Sequence, residues 1–390
     1  MLSKKIFQLA ALAILVFNCS QKDNLKTITI KNTLDIERTF ETVELSKGFL
    51  KVEDLSNIGI KDVESGLLQV TQAVDNDADG VEDVLLFQPQ MKPLSENTYQ
   101  IIYISEGEKP KAQNLCYSRF VPERTDDYAW ENDKVAFRIF GPDAQRRFEN
   151  NLEEGTLSSG VDAWLKKVKY PIINNWYKKY TEKTGSYHVD TGEGLDNFHV
   201  GKSRGVGGVA YKKDSIYYVS KNFTKWRTIT TGPLRTSFYV EYKNWDAGGK
   251  QIIESKVISL DLGNNFSKFE VTIEGADNIS PGLTMHEKDG IVSSDETNWV
   301  SYWQPHFDSE LGMALLTKKE FFNGYEEYNV AAEDLSNAYL HLKIINGKTM
   351  YYAGFGWKKS DQFSNKEEWE HYLNDFTERL NNPLEVVIVN

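Results

Sequence analysis

The stretch VISLDLGNNFSKFEVTI (residues 257–273) decides the fold, because two runs of alternating apolar residues flank a Gly-Asn-Asn turn. An apolar side chain at every second position lets a β-strand place one face on a core. Two such runs, joined by a few residues that include glycine, predict a β-hairpin. We therefore expect Val257–Leu262 and Lys268–Ile273 to pair as antiparallel strands.

Similar alternating runs recur along the chain, and turns rich in Gly, Asn and Asp separate them. The further strand candidates are residues 84–87, 215–220 and 234–242. Short strands at such spacing are typical of an antiparallel all-β fold.

Two segments have a helical spacing of apolar residues instead. Residues 161–170 end before Pro171, which stops a helix. Residues 369–380 follow a Ser-Asn-Lys-Glu capping box at residues 364–367. We therefore expect a few helices beside the sheets, one of them close to the C-terminus.

The N-terminal segment has the layout of a secretion signal. Two lysines precede an apolar run at residues 6–17, which is too short to span a bilayer. A cysteine follows, as in bacterial lipoproteins. We expect residues 1–18 to be a signal peptide, Cys19 to carry the lipid and residues 19–26 to form a tether. The alternative is an ordinary cleaved signal peptide.

Lipidation implies an outer-membrane lipoprotein. Few acidic residues follow the cysteine, so the sequence lacks a clear signal for surface export and favours the periplasmic side. The formal charge of -12 argues against nucleic acid as a partner. Local clusters of cations can still bind an anionic sugar.

Composition divides the mature chain near residues 115–122. We expect a β-rich N-terminal segment at residues 27–115 and a main part at residues 116–390 that includes the C-terminal helix. Because no Pro- or Ser-rich linker separates them, the two parts should pack closely. Cys116 is expected to be a buried apolar residue.

The sequence DNDADGVED places four aspartates on a short loop that leads into a strand. Alternate carboxylates can converge on Ca²⁺, and a glycine permits the tight turn. The loop lacks the final glutamate of an EF-hand. It therefore predicts either a structural calcium site formed by Asp75, Asp77, Asp79 and Asp83 or an Asp-rich turn.

The segment YHVDTGEGLDNFHVGKSRGVGG combines two histidines, two cations and six glycines. One interpretation is a metal site in which His188, Asp190 and His199 are the ligands. Another is acid–base chemistry, in which a histidine moves a proton while Lys202 and Arg204 neutralise a sugar carboxylate. The remaining interpretation is a Gly-rich loop with solvated charges.

Other candidates lie outside this segment. Arg138 falls within an alternating apolar run, where a buried charge needs a carboxylate partner from the protein or from a substrate. The run WVSYWQPH (residues 299–306) joins three aromatic rings to a histidine and suits stacking on a sugar. Trp130, Trp299 and Trp303 are therefore candidate sugar-stacking rings, although each suits a hydrophobic core equally well.

Four motifs resemble a known family: TDDYAWENDKVAFRIFGP, YHVDTGEGLDNFHVGKSRGVGG, GPLRTSFYVEY and ISLDLGNNFSKFEVTIEG. The family contains secreted Bacteroidota proteins classed as a domain of unknown function, which lie among polysaccharide-degradation enzymes. One member type that the chain resembles is the ulvan oligosaccharide dehydratase. The last two motifs are also similar to the galactose-mutarotase-like supersandwich. The resemblance implies this fold and an elimination reaction on a uronic acid.

The implied reaction removes water from a glucuronic or iduronic acid at the non-reducing end of an oligosaccharide. The product is a 4,5-unsaturated uronic acid. Because the C5 proton is only weakly acidic, the substrate carboxylate must be neutralised. The candidate cations are Arg204, Lys202 and Arg138. The reaction requires no redox cofactor.

The same reaction needs a base at C5 and an acid for the leaving 4-hydroxyl. His188 or His199 is the expected base, with Tyr187 in reserve. The second histidine or Tyr211 is the expected acid. The expected partner is thus a uronic-acid-containing oligosaccharide.

Three other functions remain open. A polysaccharide lyase would use the same residues but expel a sugar instead of water. A glycoside hydrolase would need two carboxylates, for which Glu193 with Asp190 or Glu131 are candidates. A glycan-binding lipoprotein would explain the anchor and the aromatic residues without any chemistry.

Overall fold

In the computed structural model, which describes residues 24–389, strands are the main secondary structure. The predicted signal peptide at residues 1–18 and the lipidation site Cys19 lie outside the described residues. The tether predicted for residues 19–26 overlaps the first strand, which already begins at Asn24.

The first half of the described chain contains eleven strands and three helices. The strands are β1 (Asn24–Lys31), β2 (Val43–Ser46), β3 (Ile58–Asp62), β4 (Gln72–Val74), β5 (Val84–Phe87), β6 (Glu96–Tyr103), β7 (Tyr117–Val121), β8 (Asp127–Glu131), β9 (Ala136–Ile139), β10 (Asp162–Lys166) and β11 (Gly194–Leu195). The helices are α1 (Lys47–Leu50), α2 (Pro142–Glu149) and α3 (Ile173–Thr181).

The second half, up to residue 389, adds fifteen strands and one long helix. The strands are β12 (Val206–Lys213), β13 (Ile216–Tyr218), β14 (Phe223–Thr230), β15 (Arg235–Tyr242), β16 (Trp245–Asp246), β17 (Gln251–Asp261), β18 (Phe266–Glu274), β19 (Asn278–Thr284), β20 (Ile291–Ser294), β21 (Trp299–His306), β22 (Ser309–Leu316), β23 (Phe322–Tyr328), β24 (Asn337–Lys343), β25 (Lys348–Trp357) and β26 (Glu385–Val389). The helix is α4 (Lys366–Asn381).

The predicted antiparallel all-β fold is confirmed. The hairpin expected around Gly263 is formed by β17 and β18, which pair with Ser259 opposite Lys268. It lies near the middle of the largest sheet, whose order is β14-β15-β17-β18-β25-β22-β21-β20, with β16 on β17. Two five-stranded sheets, β13-β12-β19-β24-β23 and β11-β10-β9-β8-β7, cover one of its faces.

One continuous core fills the space between these sheets, as expected for a supersandwich. Residues from all three sheets contribute to it, including Phe137, Val209, Phe238, Met313 and Leu340. The opposite face of the largest sheet carries α4, which packs on β21 and β22. Because both faces are covered, the sheet has little freedom to shift, and the loops at its edges are held in place.

The N-terminal part has its own core between the sheets β26-β1-β6-β3 and β2-β5-β4. The strand at its edge comes from the other end of the chain, since Ile28 pairs with Ile388. The predicted division at residues 27–115 therefore omits one strand. Close packing on the main part is evident where Glu44 Oε1 accepts a hydrogen bond from Arg235 Nη1 at 2.6 Å. Cys116 is fully buried, as predicted.

Of the two predicted helices, the one at residues 161–170 is wrong and the C-terminal one is confirmed. Residues 162–166 form β10, which is buried on both faces between β9 and β11. In such a strand every position is apolar or paired, so the spacing of apolar residues does not identify the structure. At α4 the cap is Asn365, whose side chain accepts from Glu368 N, so the box begins one residue later than predicted.

None of the helices within residues 24–389 is long and apolar enough to cross a membrane.

The glycines at residues 205–208 allow close packing inside the protein. Gly205 has φ +59°, and a methyl group there would overlap the carbonyl oxygen of Val161. A methyl group on Gly207 would meet Ala353 Cβ at 2.5 Å. The turn into β12 therefore depends on glycine for steric reasons.

Replacing Gly205 with alanine should lower the free energy of unfolding by about 1–3 kcal/mol from backbone strain alone, and the steric overlap adds to this loss. Urea denaturation followed by tryptophan fluorescence measures the change. Gly107→Ala is the control, because an added methyl group there meets nothing within 4 Å. Equal stability of the two variants would contradict this account of the turn.

Candidate active site

A cavity of about 760 Å³ opens where the segment after β11 meets the loop between β23 and β24. Residues 196–202 and 332–335 form much of its lining, together with side chains from β9 and β10. The titratable groups that line it are Arg124, Arg138, Asp162, His188, Asp196, His199, Lys202, Glu333 and Asp334. The predicted pair His188 and His199 is therefore brought into one cavity.

Arg138 holds one wall of the cavity together. It lies directly opposite Asp162 in the β9–β10 ladder, and its Nε donates to Asp162 Oδ2 at 2.9 Å. Its Nη2 donates to Asp196 Oδ2 at 3.0 Å, and Asp127 Oδ2 lies 3.6 Å from Nη1. One buried guanidinium therefore faces three buried carboxyl groups.

Burial of three carboxyl groups around this guanidinium raises their pKa values. Burial raises the pKa of Asp127 to about 6. Burial also raises the pKa of Asp162, and burial together with the charge of Asp162 raises the pKa of Asp196 well above its ordinary value. Asp127 Oδ1 and Asp162 Oδ1 are buried and have no hydrogen-bond partner among the described residues. The pKa values of all three carboxyl groups are therefore raised, and Asp162 and Asp196 are the two of them that line the cavity.

His188 lies beside this wall with a defined tautomer. Its Nδ1 is 2.7 Å from the backbone carbonyl oxygen of Asp196. Because a carbonyl oxygen can only accept, Nδ1 carries the hydrogen, and Nε2 of the neutral ring is free to accept a proton. The His188 side chain is 52% exposed, so Nε2 can meet a ligand.

Asp334 orients the second histidine of the cavity. Its Oδ2 lies 3.1 Å from His199 Nε2, and its Oδ1 lies 3.0 Å from His286 Nδ1. A carboxylate that accepts from Nε2–H leaves Nδ1 of His199 as the free base. The His199 side chain is 70% exposed, so this nitrogen can also reach a ligand.

Aromatic rings pack around the two histidines that contact Asp334, His199 and His286. Phe198 packs its edge against His286 and also contacts His306. Burial, followed by the nearby His286, lowers the pKa of His306 to about 4, so this ring is neutral at neutral pH. Its Nε2 lies 3.0 Å from Asn197 Oδ1. These contacts hold the segment that carries His199.

Two further cations line the cavity. Lys202 is exposed, and its ammonium group forms no ion pair within residues 24–389. Arg124 is more constrained, because its Nε donates to Tyr187 Oη at 3.2 Å and its guanidinium lies over the ring of Tyr180. Lys202 is thus the cation most available to an anionic ligand.

The other two predicted carboxylate-binding residues are engaged by the protein. Arg204 is buried and points away from the cavity, with its Nη1 donating to Ser159 Oγ at 2.9 Å. Burial lowers the pKa of Arg204. Arg138 lines the cavity, but Asp162 and Asp196 occupy its donors. The carboxylate partners predicted for the buried Arg138 are therefore residues of the protein itself, Asp162 and Asp196.

The two predicted tyrosines also have other environments. Tyr187 is buried, and its hydroxyl accepts from Arg124. Tyr211 lies at the far end of β12, where its hydroxyl accepts from Lys250 Nζ at 2.7 Å and donates to Asp277. Since Asp277 precedes β19 and His286 follows it, Tyr211 lies at the opposite end of the sheet from the cavity.

The three candidate sugar-stacking rings are core residues. Trp130 is fully buried and donates from Nε1 to Ser267 Oγ at 2.8 Å. Trp299 and Trp303 are buried in the cluster beneath α4. A ring must expose a face to stack on a sugar, so this expectation is corrected for all three.

The predicted metal ligands divide into two groups. His188, Asp190 and His199 do not converge, because Asp190 instead pairs with Lys167. In the Asp-rich loop, oxygen atoms of Asp75, Asp77 and Asp83 lie within 4.8 Å of one another. Asp79 is not in this group and accepts from Val81 N. Calcium binding by the loop stays a prediction.

The carboxylates considered for glycoside hydrolysis do not face the cavity either. Glu131 is buried and accepts from Lys166 Nζ at 2.7 Å, as well as from the backbone of Ile172 and Ile173. Glu193 accepts from the indole of Trp176 at 3.1 Å. The carboxyl groups that do line the cavity are those of Asp162, Asp196, Glu333 and Asp334.

Three residues of the site were missed by sequence reasoning. Asp162 fell within the wrongly predicted helix; as a strand residue it would have been recognised opposite Arg138. Asp196 lay within the quoted motif, but its burial depends on contacts with distant strands. Asp334 belongs to a polar loop with no local signal. The pairing of β12 with β19 and of β19 with β24 brings it to His199.

Comparisons with known proteins agree with this fold. Residues 30–386 match the family described as Domain of unknown function (DUF4861). The chain is 51% identical over 384 residues to Uncharacterized protein P7 of Formosa agariphila, and the match covers 97% of each chain.

Two solved structures share the fold at low sequence identity. One is an alpha-mannosidase from Enterococcus faecalis V583, with a TM-score of 0.52, and the other is a protein in the Glycosyl Hydrolase Family 38 from Enterococcus faecalis, with a TM-score of 0.50. Both are 12% identical and cover 94% of this chain. The chain spans about half of their length, 46% and 47%, and the likeness concerns the fold alone.

The buried carboxyl cluster predicts an unusual dependence of stability on pH. Asp127 has a raised pKa in the folded protein, so its contribution to stability is full below about 3.8 and is lost as pH rises through about 6. Asp127→Asn should reduce the loss of unfolding free energy between pH 4 and pH 7 by about 2–3 kcal/mol. Urea denaturation at both pH values measures this difference.

Asp214→Asn, in an exposed turn with φ 54°, is the matched control and should reproduce the wild-type pH dependence. An unchanged pH dependence in Asp127→Asn would mean that the cluster is neutralised in some other way.

Proposed function

This chain belongs to the DUF4861 family, and we propose that it is a carbohydrate-active lyase. It removes water from a glucuronic or iduronic acid at the non-reducing end of ulvan-type oligosaccharides and leaves a 4,5-unsaturated uronic acid. The four motifs resemble a family of polysaccharide-utilisation proteins, one member type of which is the ulvan oligosaccharide dehydratase, and this resemblance supports the reaction. A fold shared with a solved alpha-mannosidase is compatible with a sugar substrate.

One observation carries the proposal. A single cavity combines an exposed histidine oriented by a carboxylate, a lysine without an ion pair among residues 24–389, and a buried carboxyl group with a raised pKa. These are His199, Lys202 and Asp196. Dehydration of a uronic acid needs these three groups: a base at C5, a cation at the carboxylate and an acid at the 4-hydroxyl.

The base and the cation act on neighbouring atoms of the substrate. The C6 carboxylate is bonded to C5, so the group that neutralises it must lie close to the base. His199 and Lys202 meet this requirement, because both belong to the short segment that bends at Gly201. Nδ1 of His199 takes the C5 proton while Lys202 stabilises the enolate-like charge on the carboxylate.

The acid acts on the adjacent carbon. As the C5–H electrons form the C4–C5 double bond, the C4–O bond breaks, and Asp196 donates the proton that converts the leaving hydroxyl into water. His188 lies beside Asp196 and can return a proton to it through solvent. The overall balance is one oligosaccharide converted into one unsaturated oligosaccharide and one water.

A glycoside hydrolase is the second candidate, because a pair of carboxyl groups, Asp162 and Asp196, lines the cavity. Such an enzyme needs one carboxylate free for water or for the sugar. Here Asp162 and Asp196 are held by Arg138, and Asp334 lies against two histidines. The exposed Glu333 would have to supply the free carboxylate of a hydrolase. A polysaccharide lyase would share the residues of the dehydratase and differ in its leaving group.

We place the enzyme at the outer membrane through lipid on Cys19, with the catalytic part on the periplasmic side. Its partner there is an imported oligosaccharide that ends in a saturated uronic acid.

Incubation of the mature protein with ulvan oligosaccharides that have a saturated uronic acid at the non-reducing end tests the reaction. We expect new ultraviolet absorbance from the conjugated product, with the loss of one water in the mass spectrum and no shorter fragments. Shorter saturated products would favour the hydrolase, and shorter unsaturated ones the lyase. Binding without any product would support the glycan-binding function.

Asp196→Asn should lower kcat by about 10²–10⁴-fold with little change in KM, because an amide cannot donate the required proton. In the wild type, activity should fall as pH rises through the raised pKa of Asp196. This alkaline fall should disappear in the variant, and the pH profile of kcat measures it.

Asp190→Asn is the control for this experiment, since Asp190 lies on the same segment but pairs with Lys167 outside the cavity. It should keep nearly full activity. An Asp196→Asn enzyme with wild-type kcat and an unchanged pH profile would exclude Asp196 as the acid.

A further inference from the structure

A second cavity of about 740 Å³ adjoins the first. It is lined by the C-terminal turn of α3 and the loop that follows it. Its lining residues are Glu123, Arg124, Glu154, Tyr180, Thr181, Lys183, Thr184, Gly185 and Ser186. None of these was assigned a role in the proposed reaction.

The two cavities share a boundary. Arg124 lines both of them, and His188, which lines the first, contacts two residues of the second. The rings of Tyr180 and His188 meet edge to face, with 6.4 Å between centroids. The backbone N–H of His188 donates to Ser186 Oγ at 3.1 Å. A ligand that passes His188 would therefore enter the second cavity directly.

The chemistry of the second cavity suits a sugar. Tyr180 is partly exposed; its ring stacks on Tyr187 with 4.7 Å between centroids, and the guanidinium of Arg124 lies 5.3 Å from its centroid. A fixed, partly exposed aromatic ring beside hydroxyl groups and charged side chains is a typical surface for saccharides. Lys183 is exposed and forms no ion pair within residues 24–389, so it can donate to sugar oxygens.

We propose that this second cavity is a binding subsite for the sugar units on the reducing side of the reacting uronic acid. The inference rests on the proposed function, because it takes the first cavity as the site of the terminal uronic acid. The protein is then selective for oligosaccharides over short fragments, and Tyr180 is a specificity-determining residue.

The test measures binding, so that it does not depend on turnover. Isothermal titration calorimetry of the His199→Ala protein with ulvan di-, tetra- and hexasaccharides gives Kd as a function of length. We expect affinity to rise by about tenfold from the disaccharide to the tetrasaccharide, the amount that one aromatic contact can supply. Tyr180→Ala in the same background should remove this rise, and Tyr180→Phe should restore it.

Tyr170→Ala is the matched control, because Tyr170 is an exposed tyrosine that lines neither cavity. It should leave the dependence on length unchanged. A Kd independent of length in the His199→Ala protein with intact Tyr180, or an equal loss for all lengths in Tyr180→Ala, would overturn the subsite. Failure to bind any of the three sugars would instead refute the proposed substrate, which separates the two hypotheses.

Discussion

The candidate site depends on one cross-strand ion pair, Arg138 with Asp162, in the middle of a five-stranded sheet. Because β8, β9 and β10 are neighbours, the sheet itself fixes this pair, and Asp127 and Asp196 are drawn to the same guanidinium. A lone buried arginine would be too costly to keep, yet three carboxyl groups exceed what one cation neutralises. Burial therefore raises the pKa of all three carboxyl groups, and Asp162 and Asp196 line the cavity.

The second wall is built differently. His199 belongs to a segment without regular structure, and its orientation comes from Asp334 on a loop more than a hundred residues later in the chain. The two segments lead into β12 and β24, which lie on either side of β19, so the pairing of these three strands determines their distance. The rigid supersandwich thus carries the site on its loops, which is how one fold can support unrelated chemistries.

The sequence was informative where a local pattern determines the structure. Alternation around Gly263 predicted the antiparallel hairpin, and the histidines of the quoted motif do share one cavity. The predictions failed where burial in the folded protein determines whether a side chain can reach a ligand. The sequence predicted that Trp130 and Arg204 contact a ligand. In the structure Trp130 lies in the large core, and Arg204 is buried next to the closely packed glycines at residues 205–208. Asp162 was misread because a strand buried on both faces has no period-two pattern, and the partner of His199 lies too far along the chain for any local signal.

Elimination of water from a uronic acid requires one protein to hold an acid and a base a few ångströms apart without their neutralising each other. Two carboxyl groups or two histidines in one environment would exchange the proton between themselves. In the proposed reaction the acid is Asp196, whose pKa is raised by burial and by the charge of Asp162. The proposed base, His199, is exposed and lies against Asp334. The two walls differ in burial, and this difference gives Asp196 and His199 the unlike environments that the proposed reaction requires.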